Sequence, residues 1–396
     1  MGNVAIKTIA KYLVLLPYVS PLPIASSLQP FFLALLAPYF LVKLAHKRNY
    51  PFEFSVVLIF SIYCLIMLIP GKIEVDINAV KKLFAVPASL IIILFRNEIL
   101  LWLTIKRLKI VTSIYALTSI FQVILGQAFG SFTEIILHRN GTDYIVRGAN
   151  SLTTEPSFAG HVACAFLLLY LIRKKMDYVQ RHDKLVLLNI FLIAVLSKSA
   201  TGIASFLVVF VGASVVQTIA QLSFKRLTIS ILLLSACFLV GSTIPRLAMI
   251  FDTVRTLGII SLFNDASLAA RVLQPYFGLK SLIEHPLGLG IGSASEVYHN
   301  EFTHLAQNFK FTEYAYNRLL FEMNSPISVL GQYMVDTGLA ILLLTSIVLW
   351  RTRGLYKNER ILFIFISLLQ SHSFMYPFIW LLIGKIKNED CSFNRK

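Results

Sequence analysis

Charge is what this sequence has least of. Only 14% of its 396 residues are Asp, Glu, Lys or Arg, where a soluble chain carries roughly a quarter. Water cannot solvate such a surface, so a set of soluble domains is excluded. Acidic residues are the scarcer sign: 20 Asp and Glu stand against 36 Lys and Arg, for a net charge of +16. Cysteine is sparse as well. Cys64, Cys164 and Cys237 lie in apolar runs and Cys391 in the tail, a scatter that forms neither a metal-ligand spacing nor a disulfide framework. Low-complexity segments and internal repeats of the inverted-topology kind are lacking too, which removes the sequence mark of many secondary transporters. Met1-Gly2 is not followed by the Ser or Thr that myristoylation needs, because Ile6 stands there.

Hydrophobicity fills the space that charge leaves. It accounts for 57% of residues, and the mean hydropathy is +0.73. Apolar stretches recur at about 10–27, 29–45, 54–70, 80–95, 110–129, 157–172, 185–198, 201–219, 227–245, 326–350 and 361–384. Each approaches the roughly 20 residues that cross a bilayer. The lysines ahead of the first stretch resemble a signal peptide, but the spans that follow favour a first transmembrane helix. Asn97–Leu108 is too short to cross and reads as a helix lying at the interface. The last stretch can be split around Gln370–Ser373 into two short passes. The expected fold is an all-α polytopic membrane protein with about 11–12 transmembrane helices in a single domain, 1–396. A large external loop is expected between the ninth and tenth spans.

The basic residues orient the chain. Lys43, Lys47 and Arg48 form one cluster, and Lys106, Arg107 and Lys109 the next; Arg173–Lys184, Lys225–Arg226 and Arg351–Arg360 hold the others. Successive clusters are separated by two spans, so all face one side, which the positive-inside rule makes the cytoplasm. This distribution argues against a nucleic-acid partner despite the basic total. Two loops are balanced in charge and therefore external: 130–156 and 245–325. An inner (cytoplasmic) membrane location with an active external or periplasmic face is the expectation. Long ordered loops in otherwise economical proteins usually carry function.

Within the first loop, Arg147-Gly-Ala-Asn-Ser-Leu-Thr-Thr-Glu155-Pro156-Ser157-Phe158-Ala159-Gly160 leads into a span. Pro156 suits a first helical turn and Glu155 a helix start. Glu155 is either a plain cap-region acid or, with Arg147, part of a site for an anionic lipid substrate. The second loop contains Arg271, Tyr276, and then His285-Pro286-Leu287-Gly288-Leu289-Gly290-Ile291-Gly292. Alternating glycines permit a tight turn or a phosphate cradle. The turn is the commoner use, and Ser293 spoils a dinucleotide fingerprint. His299 and His304 flank Glu301 without the spacing of a helical zinc site. His161, inside a span, reads as a packed or hydrogen-bonded residue, although ionisable groups within a membrane invite attention.

SLTTEPSFAGH resembles the "EPS" signature of Wzy-type polysaccharide polymerases, which assemble O-antigen and exopolysaccharide repeat units. SKSATGIASFLVV, ARVLQPYFGLKSLIEHPLGLGIGSA and NSPISVLGQYMVDTGLAILLL resemble, in order, that family's following helix turn, its large external loop and the return into the membrane. The resemblance covers about residues 145–345. It implies a metal-independent glycosyltransferase without cofactor, acting on undecaprenyl-diphosphate-linked glycans, with membrane lipid and a chain-length regulator as further partners. It further implies Arg147, Arg271, Glu155 and, in reserve, His285 as catalytic, with Ser157, Gly160, Tyr276, Gly288, Gly290, Gly292 and His299 binding substrate. Related O-antigen ligases carry His-Asn before the returning helix, whereas Met323-Asn324 stands here. The rivals are such a ligase, which transfers glycan to lipid A-core, and a flippase or transporter.

Overall fold

The computed structural model describes residues 11–19, 42, 50–69, 77–126, 128–132, 148–177, 179, 182–221, 228, 255, 266–308, 311, 313–324, 328–370 and 376–386. The expected second and ninth spans lie almost wholly outside these residues, as do 133–147 and therefore Arg147.

The described residues are mostly helical. In chain order the helices are α1 (Phe52–Ile66), α2 (Ile77–Trp102), α3 (Ile105–Leu125), α4 (Pro156–Met176), α5 (Lys184–Leu196) and α6 (Ala200–Phe206). A π-helical turn at Leu207–Val211 joins α6 to α7 (Gly212–Gln221). There follow α8 (Ala266–Glu284), α9 (Ala294–Asn308), α10 (Glu313–Asn324), α11 (Val329–Thr337), α12 (Leu339–Arg351), α13 (Lys357–Gln370) and α14 (Pro377–Leu382). Among the described residues, three helical stretches are long and apolar enough to cross a membrane: α3, α4 and the run Ala200–Thr218. Helices α1, α5 and α12 are apolar but shorter.

Local chemistry sets the helix ends. Thr104 accepts a hydrogen bond from the Arg107 amide (3.3 Å), and Asp183 accepts from those of Leu185 and Val186. Ser199 and Ser328 cap α6 and α11 by accepting from Gly202 and Gly331. Each cap satisfies an amide that the helix cannot pair internally. Helix α4 begins on Pro156 and ends with Arg173, Lys174 and Lys175 beside its negative dipole end. It is the central helix, buried from Phe158 to Tyr170 with only Leu167 half-buried. Helix α3, by contrast, exposes Ile114, Leu117, Phe121 and Ile124 along one face.

Two boundaries differ from the sequence expectation and a third falls where a split was weighed. Asn97–Leu108 is no separate interfacial helix: α2 runs through Asn97 and Glu98 to Trp102, and α3 starts at Ile105. The stretch 326–350 is broken at Gly338, which adopts φ +59° because the Pro286 carbonyl packs where a Cβ would sit. The Leu339 amide donates to that same carbonyl at 2.8 Å. At the C-terminal side α13 ends at Gln370, where the split into two passes was expected, and the chain returns through α14.

The returning chain reaches β2 (Lys385–Ile386), which pairs in parallel with β1 (Arg353–Gly354). Arg360, fully buried, holds this return. Its guanidinium donates to the carbonyls of Leu382 (2.7 Å), Arg353 (3.0 Å), Leu355 (3.1 Å) and Gly384 (2.5 Å). Arg96 adds a bond to Ile383 O at 2.6 Å. Residues 385–386 therefore sit at the same end of the molecule as 353–354. A separate core of Leu273, Phe277, Tyr298, Phe302, Leu319 and Met323 unites α8, α9 and α10 and rests on Val335 of α11.

Candidate functional site

The residues before α4 form a buried polar loop. Ala149, Ser151 and Thr153 are wholly inaccessible, and Thr154 is nearly so. Buried backbone must find partners, and Gln122 of α3 supplies them. Its Oε1 accepts from the Ser151 amide at 2.7 Å, while its Nε2 donates to the Ser151 carbonyl at 3.1 Å. This reciprocal latch holds Ser151 at φ +54°, and the Ser151 hydroxyl donates to Tyr115 O at 2.7 Å. Upstream, Gly148 (φ +89°) lies against the Ser197 carbonyl so closely that no side chain fits, and the Ala149 amide donates to Leu196 O at 2.9 Å. The loop is thus fixed to α3 on one side and to the α5–α6 turn on the other.

From that anchored loop the chain enters α4 with Glu155 as its N-cap residue. The Glu155 side chain makes no capping bond. Instead, Ser157 Oγ donates to Glu155 Oε2 at 3.1 Å. Glu155 thus stands in the cap region, as the plain reading has it, with its carboxylate bonded to Ser157 rather than to a helix amide. One turn further, Gly160 faces Gly202 of α6, and a Cβ on Gly160 would lie 2.6 Å from Gly202 Cα. Small residues at such a crossing let two backbones touch. The contact carries Thr201 of α6 up beside Ser157 and His161.

A small, partly open pocket of about 10 Å³, room for about one water molecule, forms at this end of the bundle. It is lined by Tyr18, Ser157, Phe158, His161, Thr201, Arg271, Gln370 and Tyr376. Tyr18 stacks on Phe158 with ring centres 5.5 Å apart. His161 is sandwiched between Phe363 (4.8 Å) and Tyr376 (5.7 Å). Its Nδ1 lies 3.0 Å from Ser205 Oγ and its Nε2 2.8 Å from Ser367 Oγ. Both hydroxyls already donate one turn back along their helices, Ser205 to Thr201 O (2.9 Å) and Ser367 to Phe363 O (2.7 Å). Were both bonds kept, both ring nitrogens would face lone pairs. A neutral imidazole donates from one nitrogen and accepts at the other, so one of the two serines turns its proton toward the ring.

Of the residues anticipated from sequence, Arg271 and Ser157 line this pocket, Glu155 is bonded to Ser157, and Gly160 packs behind them against Gly202 without lining it. Others lie elsewhere. His285 follows Arg271 by fourteen positions along α8 and its C-terminal turn, about 21 Å at 1.5 Å per residue. His299 sits on α9 and Tyr276 is on the exposed side of α8.

The glycine turn is built as a bracket. Gly288, Gly290 and Gly292 take φ of +86°, +104° and +103°. The Leu289 amide donates to Val335 O and the Gly290 amide to Asp336 O, while Ile291 donates to Met67 O. The Asp336 carboxylate accepts from the Ala294 amide at 3.1 Å and so caps α9. These amides are engaged by the chain itself, so the turn behaves as the commoner of the two uses weighed from sequence. Sequence reasoning missed Tyr18, Thr201, Gln370 and Tyr376, and it named His161 without assigning it a site. The available signal was an uncharged polar residue inside an apolar run, as at Gln122, Thr201 and Gln370.

No protein-family model, curated protein or solved structure matches the chain.

Proposed function

We propose that this protein is a membrane-embedded glycosyltransferase of the Wzy-type polymerase kind. In this reading it joins undecaprenyl-diphosphate-linked oligosaccharide repeat units into a surface polysaccharide on the external face of the inner membrane. The observation that carries the reading is the convergence of Arg271, from the second long loop, with Ser157 of the Glu-Pro-Ser segment at one pocket. The residues that resemble the polymerase family are far apart in sequence, and two of its segments meet here. The return of 385–386 to the level of 353–354 supports an even number of passes, with the C-terminal lysines on the side of the other basic clusters.

The chemistry asks for two things. The leaving diphosphate must be neutralised, and a guanidinium does this with two parallel hydrogen bonds while staying charged. Arg271 has that role, with Arg147 as its proposed companion just ahead of the anchored Gly148. The acceptor hydroxyl must lose its proton as it attacks the anomeric carbon. The bond from that carbon to the diphosphate oxygen breaks and its electron pair leaves with the diphosphate. Glu155 receives the proton, directly or through Ser157. His285 lies too far along α8 to serve the same centre.

A strain lacking the gene tests this reading. Loss of a polymerase leaves single repeat units on the core, whereas loss of an O-antigen ligase leaves bare core. A second reading, lipid-linked glycan transport, is favoured by the buried polar group of His161, Ser205 and Ser367, with half-buried Gln370 beside it, since polar residues inside a bundle often mark a translocation path. Movement of labelled lipid-linked sugar across vesicles without polymer growth would select it.

A further inference from the structure

Helix α8 presents an apolar stripe to the outside. Val272, Tyr276, Leu279 and Ile283 are 52%, 56%, 48% and 74% exposed, at spacings of four, three and four that place them on one face. The opposite face is packed: Ala270, Leu273 and Phe277 are buried, and Gly278 meets Gly331 backbone to backbone. A helix in an aqueous loop would present polar residues here.

The stripe also has two distinct ends. At its start, one residue before Val272, stands Arg271, which lines the pocket. At its finish Leu287, 75% exposed, joins the apolar surface of α1. Tyr63 Oη donates to Leu287 O at 2.7 Å, and the Ile291 amide donates to Met67 O at 2.9 Å. Beyond that junction Ile59, Ile62 and Ile66 are exposed on α1, and Ile69 just after its end.

We infer that this face of α8 is the bed for the single apolar chain of a polyprenyl phosphate-type lipid, whose anionic head is held at Arg271. The stripe is one side chain wide and about 17 Å long from Val272 to Ile283 at the helical rise. That width suits one linear chain better than the paired tails of a phospholipid. Its continuity with α1 gives the chain a route in from the bilayer, and the cation at its head supplies the complementary charge. The inference rests on Arg271 being the phosphate-binding cation of the proposed reaction, and it adds the path of the carrier lipid.

The test uses the full-length protein in vesicles of phosphatidylethanolamine and phosphatidylglycerol. One probe is a polyprenyl diphosphate with a photoreactive diazirine on its chain; the other is diazirine-tagged phosphatidylglycerol. Cross-linked residues are mapped by mass spectrometry. The polyprenyl probe is expected to label the Val272–Ile283 face, and unlabelled polyprenyl diphosphate, but not phosphatidylglycerol, should compete. Labelling should fall about tenfold in Ile283→Ser and Leu279→Ser, which remove exposed apolar area without touching the core. Arg271→Lys tests the head with the charge retained and should weaken labelling less than Arg271→Ala. Equal labelling by both probes, or labelling that does not saturate, means bulk lipid only and overturns the inference. Saturable labelling in vesicles that build no polymer would keep the lipid bed and sink the polymerase reading. Polymer growth without labelling of this face would sink the lipid bed alone.

Discussion

Substituting Gly160 by alanine probes the contact that shapes the pocket. The added Cβ would sit 2.6 Å from Gly202 Cα, where carbon atoms prefer about 3.5–4.0 Å. The obstacle is backbone, so α4 and α6 must separate by roughly 1 Å, with an overpacking cost of about 1–3 kcal/mol. Thr201 and Ser205 ride on α6, so the distance from His161 to Ser205 Oγ would lengthen beyond its 3.0 Å. A misplacement of about 1 Å among positioned groups can slow a reaction by about 10²-fold. Gly160→Ala should therefore melt several degrees lower in detergent and lose most chain-elongation activity in vesicles. Gly212→Ala is the control. Its Cβ would meet only Leu362 Cδ1, the far end of a flexible side chain, at 3.3 Å, and its effect should stay within about 0.5 kcal/mol. If Gly160→Ala melts and works like the wild type, or Gly212→Ala does equal harm, the helix-contact reasoning is wrong.

Other expectations follow from the same geometry. Gln122→Leu removes both bonds to the Ser151 backbone at a cost of about 2–4 kcal/mol, and proteolysis should then cut near 148–154. Arg360→Met withdraws the donor from four carbonyls at once, so a loss of about 3–5 kcal/mol is expected, read as a lower melting midpoint with release of the chain beyond Gln370 to protease. His161→Gln should leave the protein inserted and slow chain growth, because an amide cannot bond both Ser205 and Ser367 from the ring's two positions, whereas unchanged growth would assign the ring to packing alone. Arg271→Lys should keep only part of the activity that Arg271→Ala abolishes, because an ammonium cannot grip two phosphate oxygens in one plane.

Local signals in the sequence were strong wherever a single residue decides an end. Pro156 opens α4, and Gln370 marks a break, whereas the caps Thr104, Asp183, Ser199 and Ser328 went unread. The pairing of Arg271 with the Glu-Pro-Ser segment was visible only through resemblance. What stayed hidden depends on contacts between distant segments. Nothing near Tyr18 or Tyr376 in sequence tells that both close one pocket. Gly160 reads as a glycine that could approach a ligand, and only the crossing helix reveals Gly202 as its partner. Arg360 reads as one more cytoplasmic cation, yet its four carbonyl partners come from both sides of a returning chain. The glycines after His285 left a turn and a cradle both open, the turn favoured, because sequence cannot say which carbonyls will claim their amides. The segment at Asn97 was misread because Trp102 and the basic residues that follow it suit an interface, whereas α2 runs straight through Asn97 with Arg96 turned inward to Ile383 O.

The most direct test of the central claim uses the purified protein in vesicles with a polyprenyl-diphosphate-linked oligosaccharide as sole substrate. The glycan product is then sized on a gel. The account predicts a ladder of repeat units with the wild type and only the starting unit with Arg271→Ala, both proteins being equally inserted. A ladder of the same length from the Arg271→Ala protein would contradict it.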